Sequence, residues 1–244
     1  MTDPQPAALQ ALFASAKCVF FDFDGPVCRL FHGHRADTVA ASLTGELIAG
    51  GGDPALVSAD GVKEDPLAIL IAVAEAGLGD ELIERLERRL GEEEVTAAAT
   101  AEPTAGAALL IGHLDRAGYR LAVTTNNSAG AVRHYLRREG LAGHFGTRIH
   151  GRAPAAPWLL KPHPDCLVRA LEPTGLAAAD ALMIGDSPAD LRAASALGMP
   201  FIGYASDDRK LEALGAGAGA GAEVIVRRLA TLTDALNVAS ADQR

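Results

Sequence analysis

The sequence predicts an α/β protein whose core has three α/β/α layers and a mainly parallel sheet, with an α-helical unit inserted after the first strand. Short apolar runs alternate with helical patterns over the last three-fifths of the chain, which is typical of parallel strand–helix–strand units. Residues 28–95, in contrast, contain helical patterns with no strand between them. With 244 residues, the chain is long enough to form one large core or two small ones.

Short apolar segments are predicted to form the strands of the sheet. They are CVFFDF (18–23), YRLAVTT (119–125), TRIH (147–150), ALMIGD (181–186), PFIGYA (200–205) and EVIV (223–226). Helices are predicted between them. One begins after Ser128 and ends at Gly140, and another begins after Pro188; both have favourable start signals.

The inserted unit is predicted to contain three helices, within SLTGELIAGG, DPLAILIAVAEAG and DELIERLERRLGEEE. Asp65 followed by Pro66 is a typical helix start, because the aspartate caps free backbone amides and proline suits the first turn. Asp80 is predicted to cap the next helix. We therefore expect a discontinuous core domain of residues 1–27 and 96–244 and an α-helical cap domain of residues 28–95.

Composition and charge limit the partners that the chain can have. The formal net charge of −9, without a dense Lys/Arg run, argues against a nucleic-acid partner. The three scattered cysteines, Cys18, Cys28 and Cys166, form no CxxC pair and favour a reducing compartment. The longest purely apolar run, LAILIAVA, is far shorter than the ~18 residues of a membrane span. We expect a cytoplasmic protein that binds small molecules and no membrane; whether it is a monomer or a homodimer is left open.

Two further segments are predicted to be structural. The first 17 residues lack the basic start and long apolar stretch of a signal peptide, so we expect a leading helix there. The stretch LGAGAGAGAE, residues 214–223, lacks the Lys-Ser/Thr ending of a phosphate-binding loop. It is predicted to be a flexible connection between a helix and a strand.

Polar residues follow the predicted strands at their carboxyl ends, which meet at one edge of a parallel sheet. They are Asp22 and Asp24, then Thr125 and Asn126, then Lys161 before Pro162, and finally Asp186. Carboxylates hold Mg²⁺, whereas a lysine and a hydroxyl offset the charge of a phosphate group. An aspartate approaching a phosphate dianion needs such a metal because the two charges repel each other. The pattern therefore favours magnesium-dependent phosphoryl transfer.

Four motifs, DFDGPV, TTNNS, KPHPD and GDSPAD, occur in that order and resemble the four motifs of the haloacid dehalogenase (HAD) superfamily. The resemblance spans residues 18 to about 227, and the helical insert is similar to the cap of the phosphoglycolate-phosphatase-like branch. It implies a Rossmann-like core and a Mg²⁺-dependent phosphatase acting on a small phosphorylated metabolite. The second aspartate of DFDGPV separates the chain from dehalogenases that attack carbon without a metal.

The resemblance also implies roles for the carboxylates. Asp22 is expected to be the nucleophile that forms an aspartyl-phosphate, and Asp24 the acid and base that protonates the leaving group and later activates water. Asp22, Asp24 and Asp186 are expected to bind Mg²⁺, with Asp24 contributing its backbone carbonyl. Asp190 is expected to support Lys161 or a metal-bound water.

Phosphate binding is assigned by the resemblance to the remaining motif residues. Thr125, together with the backbone at Asn126 and the loop at Gly25, is expected to bind the phosphoryl group, and Lys161 is expected to neutralise both Asp22 and phosphate. The neighbouring Thr124 is the rival for this role. Strand alternation places the two threonines on opposite faces, so only one of them can face the site, and the Asn126 that follows favours Thr125.

Other polar residues near these motifs have simpler explanations. Lys63 and Arg152 are candidates for contacting the leaving group, but each is more readily explained as a surface residue. A cluster after the nucleophile is more readily explained as a solvated linker; it consists of Arg29, His32, His34 and Arg35.

Two alternatives to a phosphatase remain open at this point. A sugar-phosphate mutase similar to β-phosphoglucomutase would use the same core motifs. A non-enzymatic phospho-accepting signalling or binding module would also gather aspartates, a threonine and a lysine, although its single compact α/β unit would be about half this size.

Overall fold

The chain folds around one central sheet. The structure, a computed structural model, describes residues 6–216, 222 and 224–241. Its strands are β1 (Cys18–Phe21), β2 (Cys28–Arg29), β3 (Glu102–Pro103), β4 (Arg120–Thr124), β5 (Ile149–His150), β6 (Ala181–Gly185), β7 (Phe201–Tyr204) and β8 (Val224–Val226). Six of them form a parallel sheet in the order β5-β4-β1-β6-β7-β8. Each predicted strand segment contains one of these six, so the α/β fold class is confirmed; Glu223 lies outside the described residues.

Helices cover both faces of this sheet and form the insert. They are α1 (Pro6–Ser15), α2 (Ala36–Ala49), α3 (Pro66–Glu75), α4 (Asp80–Thr100), α5 (Ala107–Arg116), α6 (Ala129–Arg138), α7 (Ala142–Phe145), α8 (Asp165–Leu171), α9 (Pro188–Ala196), α10 (Asp208–Gly215) and α11 (Ala230–Ala241). Because side chains alternate along β1, Val19 and Phe21 pack with α1, α5, α6 and α11, whereas Cys18 and Phe20 pack with α8, α9 and α10. These are the three predicted layers.

The insert has an apolar cluster of its own. Leu43 of α2, Leu70 of α3 and Leu86 of α4 are fully buried in it. Helix α4 also continues towards the sheet, where Ala97 and Ala98 join the core cluster of α5 and α6. The three predicted insert helices are therefore present, and α4 packs on both clusters. The division into core and cap domains at residues 27/28 and 95/96 stays a prediction.

A short antiparallel pair closes the base of the insert. In β2 and β3, Cys28 pairs with Pro103 and Arg29 pairs with Glu102. The chain enters the insert through β2 and leaves it through β3, so the pair joins the two connections. Strands of two residues have no detectable sequence period, and this pair was not predicted.

The helix starts test the capping predictions. Asp65 accepts hydrogen bonds from the backbone N–H groups of Leu67 and Ala68, with Pro66 in the first turn, as predicted. Asp80, however, is the first residue of α4, and Gly79 occupies the capping position, so that prediction is wrong by one residue. Glycine takes this place because its backbone has φ +96°.

The two remaining segments lie at the margins of the described chain. The predicted leading helix is α1, and residues 217–221 and 223 of the Gly-Ala stretch lie outside the described residues. Among the helices that the structure describes, none combines the length and apolar character that crossing a membrane requires.

Candidate active site

The loop after β1 brings two carboxylates to the edge of the sheet. The backbone N–H of Asp22 donates to the carbonyl of Ile184 at 2.9 Å, so the loop continues the pairing of β1 with β6. Asp24 accepts a hydrogen bond on Oδ1 from the backbone N–H of Leu30 at 2.8 Å. Asp22 and Asp24 line the same cavity, which has a volume of about 570 Å³. The two residues thus border one cavity, and their convergence on a single point stays a prediction.

Gly25 makes the close approach of this loop to β6 possible. Its backbone has φ +127°, a conformation that residues with a side chain rarely adopt. A Cβ atom at this position would lie 1.9 Å from Oδ2 of Asp186. The loop of Asp22 and the loop of Asp186 thus touch only because residue 25 has no side chain.

Lys161 connects the first and last motifs. Its Nζ atom donates to Oδ1 of Asp22 at 2.8 Å, to Oδ1 of Asp190 at 2.5 Å and to the carbonyl of Thr124 at 3.0 Å. Its exposed fraction is 6%, so all three bonds form away from bulk water. Burial acts to lower the pKa of Lys161, but the carboxylates of Asp190 and Asp22 raise it above its usual value. The side chain is held as a cation.

Asp190 is fixed by the start of α9. Its Oδ2 accepts from the backbone N–H groups of Asp186 and Ser187 and from the hydroxyl of Ser187, at 2.7 to 3.1 Å. Ser187 in turn caps the helix through Asp190 N–H, which completes a reciprocal capping box. Asp190 thus contacts Lys161 through Oδ1 while its Oδ2 supports the helix start.

Three carboxylates could hold a metal ion. Oxygen atoms of Asp22, Asp186 and Asp190 all lie within 4.8 Å of one another, and all three residues are buried. Such an all-oxygen set suits Mg²⁺ rather than a softer metal. The predicted ligands Asp22 and Asp186 belong to this group, whereas the side chain of Asp24 does not. The expectation for Asp24, a contact through its backbone carbonyl, remains a prediction.

The pKa values of these groups follow from their surroundings. Burial raises the pKa of Asp22 to about 6, against the lowering effect of Lys161. Burial, followed by the charges of Asp22 and Asp190, raises the pKa of Asp186 to about 8. The pKa of Asp24 is also raised by burial, although the hydrogen bond from Leu30 lowers it. Crowded carboxylates of this kind are stabilised by a cation.

A lysine that the sequence did not single out supplies part of that positive charge. Lys210, in the first turn of α10, forms an ion pair with Oδ2 of Asp186. Burial acts to lower the pKa of Lys210, but the nearby Asp186 raises it. The residue follows no motif and lies in an ordinary helix start, so its sequence carried no signal of this contact.

The two threonines at the end of β4 lie in different surroundings. Thr125 lines the cavity, and Thr124 does not. The Thr124 hydroxyl is fully buried and has no hydrogen-bond partner among the described residues. Thr125 donates from Oγ1 to Oδ1 of Asn127 at 3.0 Å and accepts from Asn127 N–H at 3.1 Å. Thr125, the threonine favoured because Asn126 follows it, is therefore the one at the cavity.

Asn126 has a contact that the sequence did not predict. Its side-chain amide donates to the carbonyl of Lys161 at 3.1 Å, and its Oδ1 accepts from Lys161 N–H at 2.7 Å. The asparagine therefore brackets the backbone of the lysine that binds Asp22. Two of the predicted motifs are joined by this pair of hydrogen bonds.

Arg152 is not a surface residue. Its side chain is buried between α4 and the loop after β5, where Nη1 donates to both oxygens of Glu94 at 2.8 and 2.9 Å and Nε donates to Glu87 at 2.6 Å. The surface explanation of Arg152 is therefore wrong. Lys63, in contrast, is exposed and paired with Asp60, as expected.

The linker residues after the nucleophile contact acidic side chains. Arg29 and His32 pair with Glu102, His34 pairs with Glu93, and Arg35 pairs with Asp37. The cavity lining contains none of these four side chains. The insert instead contributes apolar side chains such as Phe31 and Leu90 and the acidic Glu64, and the exposed Arg209 of α10 lies at the cavity on the core side.

Comparison with known proteins identifies the family. The model of the haloacid dehalogenase-like hydrolase family matches residues 16–198. The phosphoglycolate phosphatase of Rhodospirillum rubrum is 33% identical over 193 residues, which cover 76% of this chain and 78% of that protein.

Solved structures show the same fold. CbbY from Rhodobacter sphaeroides in complex with phosphate matches with a TM-score of 0.64 and 23% identity, over 91% of this chain and 99% of that one. A predicted phosphatase from Clostridium acetobutylicum matches with a TM-score of 0.64 and 20% identity, again over 91% and 99%. The family match covers all four motifs, and the resemblance inferred from them is confirmed. The chain belongs to the haloacid dehalogenase-like hydrolase family and is an enzyme of that family.

Proposed function

We propose that the protein is a Mg²⁺-dependent phosphatase that hydrolyses a small phosphorylated metabolite through an aspartyl-phosphate intermediate. The observation that carries this proposal is the contact of Lys161 with Asp22 and Asp190 beside Asp186, at the wall of one cavity. A cation held between buried carboxylates matches the charges of a phosphoryl group and its metal. The curated relative from Rhodospirillum rubrum, named phosphoglycolate phosphatase, supports the same reaction class.

Asp22 is the proposed nucleophile. Lys161 binds its Oδ1, so Oδ2 is the oxygen assigned to attack phosphorus, while the bond from phosphorus to the leaving oxygen breaks. Asp24 gives its proton to that leaving oxygen, which departs as an alcohol. A raised pKa suits Asp24 to this role, because the carboxyl must hold a proton near neutral pH.

The second half of the reaction uses the same two residues. Asp24, now ionised, takes a proton from a water molecule whose oxygen attacks phosphorus. The bond between phosphorus and Asp22 then breaks, and inorganic phosphate leaves. Each residue returns to its starting protonation state, so no other reactant is needed.

Thr125 and the backbone at Asn126 are proposed to bind the phosphoryl oxygens, and Lys161 to neutralise their charge beside Asp22. The phosphate-binding role expected for Gly25 is not supported, because its backbone N–H donates to the carbonyl of Cys28 at 2.7 Å and the residue does not line the cavity. Thr125 lines the cavity, and Lys161 is fixed as a cation at its wall. Positive charge and donors placed before the reaction stabilise the charge of the transferring group without reorganisation.

Asp22, Asp186 and the backbone carbonyl of Asp24 are the proposed Mg²⁺ ligands, with Asp190 supporting Lys161. The donor set fits the ion, because these buried carboxylates are mutually repulsive and all offer oxygen. Bound Mg²⁺ would neutralise the phosphate charge that otherwise repels Asp22.

The insert is proposed to act as a cap over the substrate, with core residues 1–27 and 96–244 and cap residues 28–95. Phe31 and Leu90 of the insert line the same cavity as Asp22 and Asp186. A cavity of about 570 Å³ suits a small metabolite rather than a macromolecule. The three cysteines are free and buried, which supports a reducing compartment, the cytoplasm.

The test is phosphate release from a panel of small phosphate esters, beginning with phosphoglycolate, in the presence of Mg²⁺. Wild-type protein should release phosphate, and either EDTA or the substitution Asp22→Asn should abolish release. Turnover by Asp22→Asn at the wild-type rate would overturn the assignment of the nucleophile. A folded wild-type protein that isomerises a sugar phosphate without releasing phosphate would replace the phosphatase with a mutase.

A further inference from the structure

A buried carboxylate in the insert contacts the phosphate loop, defined here as residues 125–128. Glu94 lies in α4 and has an exposed fraction of 0%, yet it belongs to the lining of the active-site cavity. Its Oε2 accepts from the backbone N–H of Ser128 at 2.8 Å, and its Oε1 accepts from the side-chain amide of Asn127 at 3.2 Å. None of the four motifs includes this residue.

The contact with Asn127 extends to Thr125. A carboxylate only accepts hydrogen bonds, so the NH₂ group of Asn127 must face Glu94 and its Oδ1 must face Thr125. That orientation is the one in which Oδ1 accepts from the Thr125 hydroxyl at 3.0 Å. Glu94 therefore orients the side chain of Asn127, which in turn binds the Thr125 hydroxyl.

Arg152 holds Glu94 in this place. The guanidinium binds both oxygens of Glu94, and its Nη1 also donates to the carbonyl of Asn126 at 3.3 Å. The backbone N–H of Arg152 donates to the carbonyl of Asn127 at 3.1 Å. The Arg152–Glu94 pair thus binds the phosphate loop through side chain and backbone.

Close packing leaves this loop little freedom. A Cβ atom on Gly151 would lie 2.5 Å from the backbone nitrogen of Ala129 and 2.6 Å from the carbonyl oxygen of Asn127. The loop also contacts the lysine that binds the nucleophile, since the side chain of Asn126 forms two hydrogen bonds with the backbone of Lys161. A shift of the loop would therefore displace both Thr125 and Lys161.

We propose that Glu94 is a positioning residue that, together with Arg152, orients Asn127 and thereby holds Thr125 at the cavity, where its single hydroxyl hydrogen turns from Oδ1 of Asn127 to a phosphoryl oxygen when phosphate binds. The inference rests on the proposed function, because it assigns Thr125 to the phosphoryl group. A buried ion pair is a costly way to hold a helix against a loop, since both charges lose their hydration. The pair supplies directed hydrogen bonds that an apolar contact lacks.

Glu94→Gln is the informative substitution. One end of the glutamine carries an NH₂ group, and it would face groups that are all donors, namely Arg152, Ser128 N–H and the Asn127 amide. The matched control is Glu87→Gln, because Glu87 also binds Arg152, at 2.6 Å, and a backbone N–H, that of Ala155, but does not contact residues 125–128. Each change removes one negative charge that pairs with Arg152.

The experiment measures kcat, KM and the inhibition constant of inorganic phosphate for both variants, with thermal unfolding to compare their stability. Loss of a charged hydrogen bond predicts that Glu94→Gln lowers kcat/KM and weakens phosphate inhibition by about tenfold or more. For Glu87→Gln, kcat/KM and the inhibition constant of phosphate should both stay within about twofold of the wild-type values. The half-saturating Mg²⁺ concentration should be unchanged in either variant.

Each outcome decides the inference. The inference would be overturned if kcat/KM and the phosphate inhibition constant of Glu94→Gln equalled those of wild type. It would also be overturned if Glu94→Gln and Glu87→Gln changed these constants equally. If Glu94→Gln does not fold, Asn127→Ala replaces it, because that change interrupts the contact to Thr125 without leaving a buried charge; phosphate inhibition unchanged in Asn127→Ala would then overturn the inference. A folded wild-type protein without phosphate release would instead refute the proposed function, and direct titration with inorganic phosphate would then compare the same variants.

Discussion

The ammonium group of Lys161 lies 2.8 Å from Oδ1 of Asp22, although 139 positions separate the two residues in the chain. The same ammonium contacts Asp190 at 2.5 Å, so it stands between two carboxylates that would otherwise repel each other. The first and last motifs of the sequence thus share one cation. Its removal is the most direct test of the electrostatics of the site.

Substitution Lys161→Met should lower kcat by about a thousandfold, since a buried cation aimed at the developing charge is lost. It should also lower the melting temperature, because Asp22 and Asp190 then lack their common partner. Phosphate release and thermal unfolding measure the two effects. Lys63→Met is the control, since Lys63 pairs with Asp60 on the surface. A Lys161→Met variant with the kcat of the control would contradict the role of this cation.

The two adjacent threonines give a second prediction. Thr125→Val removes a hydroxyl that lines the cavity and should lower kcat/KM by about tenfold to a hundredfold. Thr124→Val removes a buried hydroxyl without a partner among the described residues, so it should leave kcat/KM unchanged and keep or slightly raise stability. Steady-state kinetics and urea unfolding of the pair are the measurements. A larger loss of activity in the Thr124 variant would reverse their assignment.

Gly25→Ala should disrupt the metal site. The new Cβ atom would collide with the carboxylate of Asp186, and the backbone has φ +127°. We expect destabilisation of about 2 kcal/mol or more and a weaker dependence of stability on Mg²⁺, measured by urea unfolding with and without the ion. Gly45→Ala is the control, because an added Cβ on that exposed residue of α2 contacts nothing within 4 Å and should be neutral or stabilising. Equal stability of the two variants would refute the tight contact at residue 25.

The buried carboxylates also predict how stability depends on pH. In the metal-free protein, burial raises the pKa of Asp22 to about 6 and that of Asp186 to about 8, from 3.8. The folded state therefore holds these protons more tightly than the unfolded chain. Their contribution to the free energy of unfolding is present below about pH 4 and is lost as the pH rises through 6 and 8, at about 1.4 kcal/mol per pH unit for each proton.

Urea unfolding in EDTA from pH 5 to 8.5 tests this dependence. Asp186→Asn cannot lose a proton, so its stability should fall less steeply with pH than that of wild type, and Mg²⁺ should stabilise wild type most at the upper end of the range. Identical slopes for the variant and wild type would show that Asp186 does not titrate as expected.

Sequence patterns located the strand ends but not the contacts between them. Asp22, Asp24, Thr125 and Asp186 could be predicted because polar residues after buried strands of a parallel sheet must meet at one edge. Arg152 was missed because burial of an arginine depends on a partner, and Glu94 lies 58 positions away in a helix that otherwise looks solvated.

The same limit applies to helix starts and short strands. Gly79 rather than Asp80 caps α4, because its positive φ depends on how the chain enters the helix. The β2–β3 pair follows from packing at the base of the insert and has too few residues for a period. Such features arise from the fold as a whole.

Lys210 is the missed residue with the clearest consequence. Its ammonium contacts Oδ2 of Asp186, and a metal ion bound at Asp186 would meet this like charge. Lys210→Ala should therefore melt at a lower temperature in EDTA and gain more from saturating Mg²⁺ than wild type, with the half-saturating Mg²⁺ concentration lowered several-fold. Thermal unfolding over a Mg²⁺ series measures both effects without turnover. Lys17→Ala breaks the surface pair with Asp180, and Mg²⁺ should raise its melting temperature by as much as that of wild type. If Mg²⁺ raised the melting temperature of both variants equally, Lys210 would not compete with the metal.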